Sequence, residues 1–112
     1  MTPEQIAEVC HEANRVLTKH IGDVPVQPPW ADAPEEMRKS CIDGVRWRLL
    51  NPALPAGDQH EEWRRAKIAD GWRYDQVKDA ALKTHPALVP FEALPDAVQA
   101  KDRIFTAIVL AF

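Results

Sequence analysis

The stretch from Trp63 to His85 holds most of the side chains whose types could bind a ligand. It contains two tryptophans, a tyrosine and six basic residues against three acidic ones, which gives a local charge of +3. Aromatic faces stack on nucleotide bases, and lysine or arginine neutralises phosphate. This mixture therefore predicts a site for a small, anionic, nucleotide-like molecule. The whole chain carries a charge of −3, which argues against a protein that coats a nucleic-acid polymer.

Seven residues are candidates for contact with such a ligand. They are Asn14, Arg15, Trp63, Lys67, Trp72, Tyr74 and Lys78. The rings would stack, the arginine fork and the asparagine would hold a phosphate and a sugar hydroxyl, and the lysines would neutralise charge. Three alternatives stay open: the tryptophans anchor the core, Arg15 forms a salt bridge with Glu12 or Glu61, and Lys78 lies in a solvated turn.

The histidines do not have the spacing of a metal site. His11-Glu12 and His60-Glu61 both lack a second histidine four residues further on, so the zinc-hydrolase motif is missing. Ser40, the sole serine, lies within a predicted helix without an evident base partner. We therefore expect no catalytic residue, metal or cofactor, and binding rather than catalysis. His11 and His60 are more simply explained as hydrogen-bond donors to the backbone of a helix or corner.

Capping signals and apolar spacing predict a mainly α fold, α+β at most. Four helices are expected, beginning at Pro3, Pro34, Asp58 and Pro95. Trp72–Tyr74 alternates in polarity and predicts a short strand, while residues 75–90 are expected to be largely irregular. Trp72 and Tyr74 would then lie on the same side of that strand.

The two halves of the chain resemble each other, which predicts one domain over residues 1–112 with internal repeats at about 2–51 and 58–112. His11-Glu12 is echoed by His60-Glu61, and the corner Pro29-Trp30 by Pro90-Phe91. The interval from histidine to corner is 18 residues in the first half and 30 in the second, so the second half holds an insertion of 12 residues. We predict two helix pairs about a pseudo-twofold axis, with function in the insertion.

The remaining signals concern compartment and association. Met1–Gln5 lacks the features of a signal peptide and no apolar window reaches membrane-spanning length, which predicts a cytoplasmic protein without membrane contact. Cys10 and Cys41 lie on helical apolar stripes and are expected to be buried thiols. The helical spacing predicts that Phe112 points inward on the last helix. If Phe112 and Leu110 are instead exposed, they form an apolar patch through which two copies could form a homodimer.

Motifs along almost the whole chain resemble the RyR domain, the repeat of ryanodine receptors. They include Cys10–Arg15, Gln27–Trp30, Ser40–Val45, His60-Glu61, Asp70–Trp72, Tyr74, Val77–Asp79, His85-Pro86, Pro90–Leu94 and Lys101-Asp102. In animal calcium-release channels such domains are cytoplasmic appendages, whereas free-standing members occur in bacteria and their viruses. The resemblance implies a free-standing member that senses or sequesters a nucleotide-derived ligand of the ADP-ribose or cyclic-nucleotide type. Asp75 departs from the family's usual glycine at that position and adds a negative charge beside the predicted site.

Overall fold

The protein, described by a computed structural model over residues 1–23 and 25–112, is mostly helical and carries one small sheet. This confirms the predicted mainly α class. The elements are α1 (Pro3–His20), α2 (Glu35–Leu50), α3 (Ala56–Ala69), β1 (Arg73–Tyr74), β2 (Thr84–His85) and α4 (Asp96–Ala111). Single 3₁₀ turns, Trp30–Asp32 and Phe91–Ala93, precede α2 and α4.

Local sequence signals explain where the helices begin. Thr2 and Gln5 form the predicted capping box at α1 through reciprocal side-chain-to-backbone hydrogen bonds. The other three helices each begin directly after a proline, because its fixed φ suits a helix start. The predicted start of α3 at Asp58 is therefore wrong by two residues, since Pro55 sets the boundary.

The apolar core lies where α1 packs against both α2 and α4. Its buried members are Ile6, Ala7, Cys10, Val45 and Val109. Cys10 and Cys41 are free thiols, and burial raises the pKa of both to about 12, so neither is a reactive thiolate near neutral pH. Phe112 is 61% exposed, so its predicted inward position is wrong: the helix ends at Ala111, one residue before it.

At positions that the repeat makes equivalent, the residues packed around α1 are apolar and those packed around α3 are polar. Counted from the matching histidines and prolines, Cys10 corresponds to Gln59, Cys41 to Asp102 and Val109 to Arg48. Arg48 is fully buried and donates hydrogen bonds to Gln59 Oε1 (3.0 Å) and to the carbonyl groups of residues 51, 54 and 55. The two halves thus share a backbone plan but are stabilised by different interactions.

Close approach of the helices around α3 depends on Gly44, which lies on α2. A Cβ atom there would lie 3.3 Å from both Gln59 Nε2 and Phe105 Cζ. Gln59 Nε2 also donates to the Gly44 carbonyl at 3.2 Å. The small residue therefore lets α2 approach α3 and α4 closely enough for Gln59 to join Arg48 to the backbone.

The small sheet lies within the insertion that follows α3. Its two strands run parallel, with Arg73 paired to Thr84 and Tyr74 paired to His85. The strand over residues 73–74 was predicted, whereas β2 was not, because two residues give too little periodicity to detect. In the described part of the chain, no helix is long and apolar enough to span a bilayer.

Candidate anion-binding site

Two corners, one in each half, are held by the same hydrogen bonds. His11 Nε2 donates to the Pro28 carbonyl at 2.7 Å, and Glu12 accepts from the Trp30 backbone N–H at 2.9 Å. In the second half His60 Nε2 donates to the Val89 carbonyl at 2.8 Å, and Glu61 accepts from the Phe91 N–H at 3.2 Å. Both histidines therefore have the structural role expected from the sequence.

Arg15 belongs to the first corner. Its guanidinium contacts Glu12 at 2.6 Å and donates to the Gln27 carbonyl at 3.0 Å. The Trp30 N–H and Arg15 together hold the pKa of Glu12 below its usual value. Arg15 thus forms the alternative salt bridge with Glu12, and two of its donor groups, Nε and Nη1, bind to the first corner.

Arg64 makes the equivalent contact with Glu61 at 3.0 Å, but the second corner is less complete. Burial acts to raise the pKa of Glu61, and hydrogen bonds from Arg64 and the Phe91 N–H outweigh it, so that the pKa is lowered. Arg64 Nε is buried and has no hydrogen-bond acceptor among the described residues, whereas its counterpart in Arg15 donates to Gln27.

The insertion fixes the position of Lys78 through both of its neighbours. The Val77 carbonyl accepts from Thr84 Oγ1 at 3.0 Å. Asp79 Oδ1 accepts from the N–H groups of Ala81 (2.9 Å) and Leu82 (3.2 Å), which closes a tight turn. The backbone is therefore held on each side of Lys78. The Lys78 side chain is half-buried, which differs from the fully solvated turn that was the alternative.

The charges of Lys67 and Lys101 act on Lys78, and those of all three lysines act on His85, so we call Lys67, Lys78 and Lys101 the lysine cluster. Burial lowers the pKa of Lys78, and the charges of Lys67 and Lys101 lower it further. Burial also lowers the pKa of Lys67, although Asp70 and Glu36 act in the opposite direction. Within residues 1–23 and 25–112, no carboxylate forms a salt bridge with Lys67 or Lys78.

His85 lies beside the lysine cluster as a neutral ring. Burial lowers its pKa to about 4, with further lowering by the charges of Lys78, Lys67 and Lys101. Its Nδ1 accepts from the Ala87 N–H at 3.0 Å, which places the proton of the neutral ring on Nε2. His85 therefore offers an N–H donor without adding a fourth positive charge.

Aromatic rings form a row beside these charges. Lys67 Nζ lies 4.8 Å from the Trp72 ring centroid, a cation–π contact. Trp72 is 6.5 Å from His85, which in turn meets Trp63 edge-on at 5.0 Å. Trp72 thus positions Lys67 as well as offering a ring, and Trp63 packs between His60 and His85. Tyr74, 54% exposed on the strand beside His85, has its ring open to solvent.

The structure brings together five of the seven predicted residues. Trp63, Lys67, Trp72, Tyr74 and Lys78 all lie on α3 or the insertion, around His85. Arg15 lies in the first corner, and Asn14 is half-buried on α1 with no side-chain hydrogen bond in the described part of the chain. Each corner has its own arginine: Arg15 contacts Glu12 and Arg64 contacts Glu61.

Sequence reasoning missed Lys101, His85 and Asp23 as parts of the site. Lys101 reaches the cluster from α4, where it contacts the Asp23 carboxylate from the turn after α1. These residues are separated by 78 positions, so no local pattern joins them. Lys101-Asp102 and His85-Pro86 stood out as family-like motifs, which was the available signal.

All three lysines of the cluster are half-buried. Two shallow depressions lie elsewhere, one at Pro34–Lys39 at the start of α2 and one between Glu61 and Ile68 on α3. Neither is lined by a member of the lysine cluster. Recognition of an anion depends on charged donor groups and does not need an enclosed cavity.

Asp102, next to Lys101 in the chain, predicts a pH-dependent stability. Its Oδ2 lies 3.8 Å from His60 Nδ1, and burial raises its pKa to about 6 against the opposing charges of His60, Lys101 and Arg48. Between pH 4 and 6 the folded protein therefore binds more protons at Asp102 than the unfolded chain, so this group lowers stability as pH rises. Asp102→Asn is expected to gain stability relative to the wild type across that window, by up to about 3 kcal/mol.

Urea unfolding at a series of pH values measures this difference. Asp32→Asn, at an exposed position in the first corner, is the matched control and should show no pH-dependent gain. A gain for Asp102→Asn that is the same at pH 4 and pH 7 would contradict a buried, proton-binding carboxyl group.

A comparison with protein families agrees with this architecture. The model of the RyR domain matches residues 53–110, which is just over half of the chain. The matched segment contains α3, the insertion and α4, and hence Lys67, Lys78, His85 and Lys101. The first half lies outside the match and is related to the second by the equivalent hydrogen bonds of the two corners. The chain belongs to the RyR domain family.

Proposed function

We propose that this protein is a non-enzymatic binding module for a small, anionic, nucleotide-like ligand, and that the lysine cluster holds the ligand's phosphate groups. The observation that carries the proposal is the pair Lys67 and Lys78, both half-buried and without a carboxylate partner among the described residues. Partial burial of an uncompensated charge is costly. A phosphate would remove that cost by supplying the missing counter-charge.

The surrounding groups favour a nucleotide over a bare anion. His85 Nε2–H is a neutral donor beside the lysines, suited to a phosphate or sugar oxygen. Tyr74 offers an exposed ring for a base, and Trp72 offers the part of its indole not covered by Lys67. The family resemblance leads to the same class, ADP-ribose or a cyclic nucleotide. The protein would act in the cytoplasm as a sensor, or as a sponge if its source is a virus.

A thermal-shift panel tests the proposal. It contains ADP-ribose, cyclic ADP-ribose, NAD, cyclic mononucleotides and cyclic dinucleotides, with ribose and adenosine as uncharged controls. A ligand at 100 times its Kd should stabilise the fold by about 2.7 kcal/mol, a shift of several degrees for a domain of this size. We expect a shift from at least one phosphate-bearing compound, weakened by added salt. A panel in which charged and uncharged compounds behave alike would contradict it.

One observation favours a second function, self-association. Leu110 and Phe112 at the end of α4 are 48% and 61% exposed, which leaves apolar surface uncovered. A homodimer that buried these side chains would make the domain an interaction module. Light scattering from micromolar to near-millimolar concentration distinguishes the two: a concentration-independent monomer would rule out this alternative.

A further inference from the structure

Asp23 places one carboxylate against the lysine cluster. Its Oδ2 contacts Lys101 Nζ, and the charge of Asp23 also raises the pKa of Lys78 and of His85. The carboxylate therefore acts on the cluster as a whole as well as on its direct partner.

The backbone holds Asp23 in this place. Its N–H donates to the Thr18 carbonyl at 3.0 Å, and Gly22 before it has a φ of 71°, the left-handed conformation that favours glycine. Asp23 thus reaches Lys101 from a defined turn at the end of α1. Because Lys101 belongs to α4, the contact joins the first half of the chain to the second.

The charges of this arrangement are unequal. Three ammonium groups face one carboxylate that forms a salt bridge with the cluster, within the described residues. A singly charged anion that displaced Asp23 would only exchange one carboxylate-like charge for another. An anion with two or more charges would replace Asp23 at Lys101 and also neutralise Lys67 or Lys78.

We propose that Asp23 is a specificity-determining residue, an internal carboxylate that occupies Lys101 and must be displaced, so that the site selects multiply charged phosphate groups over singly charged anions. This inference rests on the proposed function. It goes further by assigning the selection to one residue outside the segment that the family model matches. It also predicts that ligand binding breaks a contact between the two halves.

The test uses isothermal titration at low ionic strength, with pyrophosphate and acetate as probes. Asp23→Asn preserves the shape of the side chain and removes its charge. We expect pyrophosphate to bind this variant about three- to tenfold more tightly than the wild type, and acetate to gain by a larger factor. Asp43→Asn, which removes the carboxylate paired with Lys39 on α2, is the matched control and should leave both affinities unchanged.

A double-mutant cycle separates displacement from a structural effect. In a Lys101→Gln background, Asp23→Asn should change pyrophosphate affinity by a clearly smaller factor, because its direct partner is gone and only its effect on Lys78 and His85 remains. Thermal unfolding of every variant verifies that each is folded. An unchanged or reduced affinity of Asp23→Asn would overturn the inference.

The two proposals fail in different ways. If the wild type binds pyrophosphate and Lys78→Met abolishes binding while Asp23→Asn has no effect, the binding function stands and the role of Asp23 is rejected. If neither the wild type nor Asp23→Asn binds pyrophosphate, both proposals are rejected.

Discussion

Replacing Arg48 by methionine is expected to lower the free energy of unfolding by about 3–5 kcal/mol. The guanidinium is fully buried, and it satisfies Gln59 Oε1 and three backbone carbonyl groups in the connection between α2 and α3. Methionine fills a similar volume but supplies no donor. The acceptors would be left unpaired or exposed to water through an opened loop.

Urea denaturation followed by circular dichroism measures the loss, and a neighbouring arginine provides the control. Arg46→Met removes an exposed ion pair with Glu4 and should cost less than about 1 kcal/mol. A loss for Arg48→Met within 1 kcal/mol of the control would mean that the hydrogen bonds of Arg48 are not what joins α2 to α3.

The second large effect is a loss of ligand affinity that is not accompanied by a loss of stability. Lys78→Met should weaken the binding of a phosphate-bearing ligand at least about tenfold, because it removes an ammonium group whose approach is fixed by Val77 and Asp79. The same change should leave the free energy of unfolding unchanged or raise it. Burial lowers the pKa of Lys78, which means that the charged form is penalised in the fold.

Affinity by titration and stability by urea unfolding on the same preparation check both parts. Lys39→Met is the control, since Lys39 is exposed and paired with Asp43. A variant that loses affinity and stability together would indicate that Lys78 supports the insertion rather than a ligand. Equal affinity in Lys78→Met and the wild type would move the site elsewhere.

Much of the helical framework follows from local sequence. The Thr2–Gln5 capping box and the prolines at positions 34 and 95 define helix starts because they act within one turn. The five-residue interval from corner proline to helix proline repeats in both halves, and the structure places equivalent 3₁₀ turns there. The start of α3 was missed because Asp58-Glu61 imitates a capping box inside a helix that Pro55 had already begun.

Local sequence could not predict which residues are buried around α1 and which are buried around α3. The repeat implies equivalent positions, but it does not show that Val109 in one half corresponds to a buried arginine in the other. Arg48 looks like a surface residue in sequence, and its burial depends on Gln59 and on the carbonyl groups of the following loop. Such partners are identified only once the chain is folded.

The candidate site also contains residues that local sequence predicts and residues that only the fold brings together. Trp63, Lys67, Trp72, Tyr74 and Lys78 fall within one basic, aromatic segment, which composition alone reveals. Lys101 lies on α4 and Asp23 in the turn after α1, in different halves, and their contact depends on the packing of α1 against α4. The partner of Arg15 could not be predicted, because an arginine that binds phosphate and one that binds a glutamate one turn away have the same local sequence.

The most direct test of the central claim is a nuclear magnetic resonance titration of ¹⁵N-labelled protein with ADP-ribose, and with pyrophosphate in parallel, following the four tryptophan indole N–H signals. Trp72 contacts Lys67 and Trp63 contacts His85, whereas Trp30 lies in the first corner and Trp47 stacks with Arg48. Binding at the lysine cluster predicts that the signals of Trp72 and Trp63 move saturably while those of Trp30 and Trp47 stay in place. Four unmoved signals with both probes, or shifts confined to Trp30 and Trp47, would contradict it.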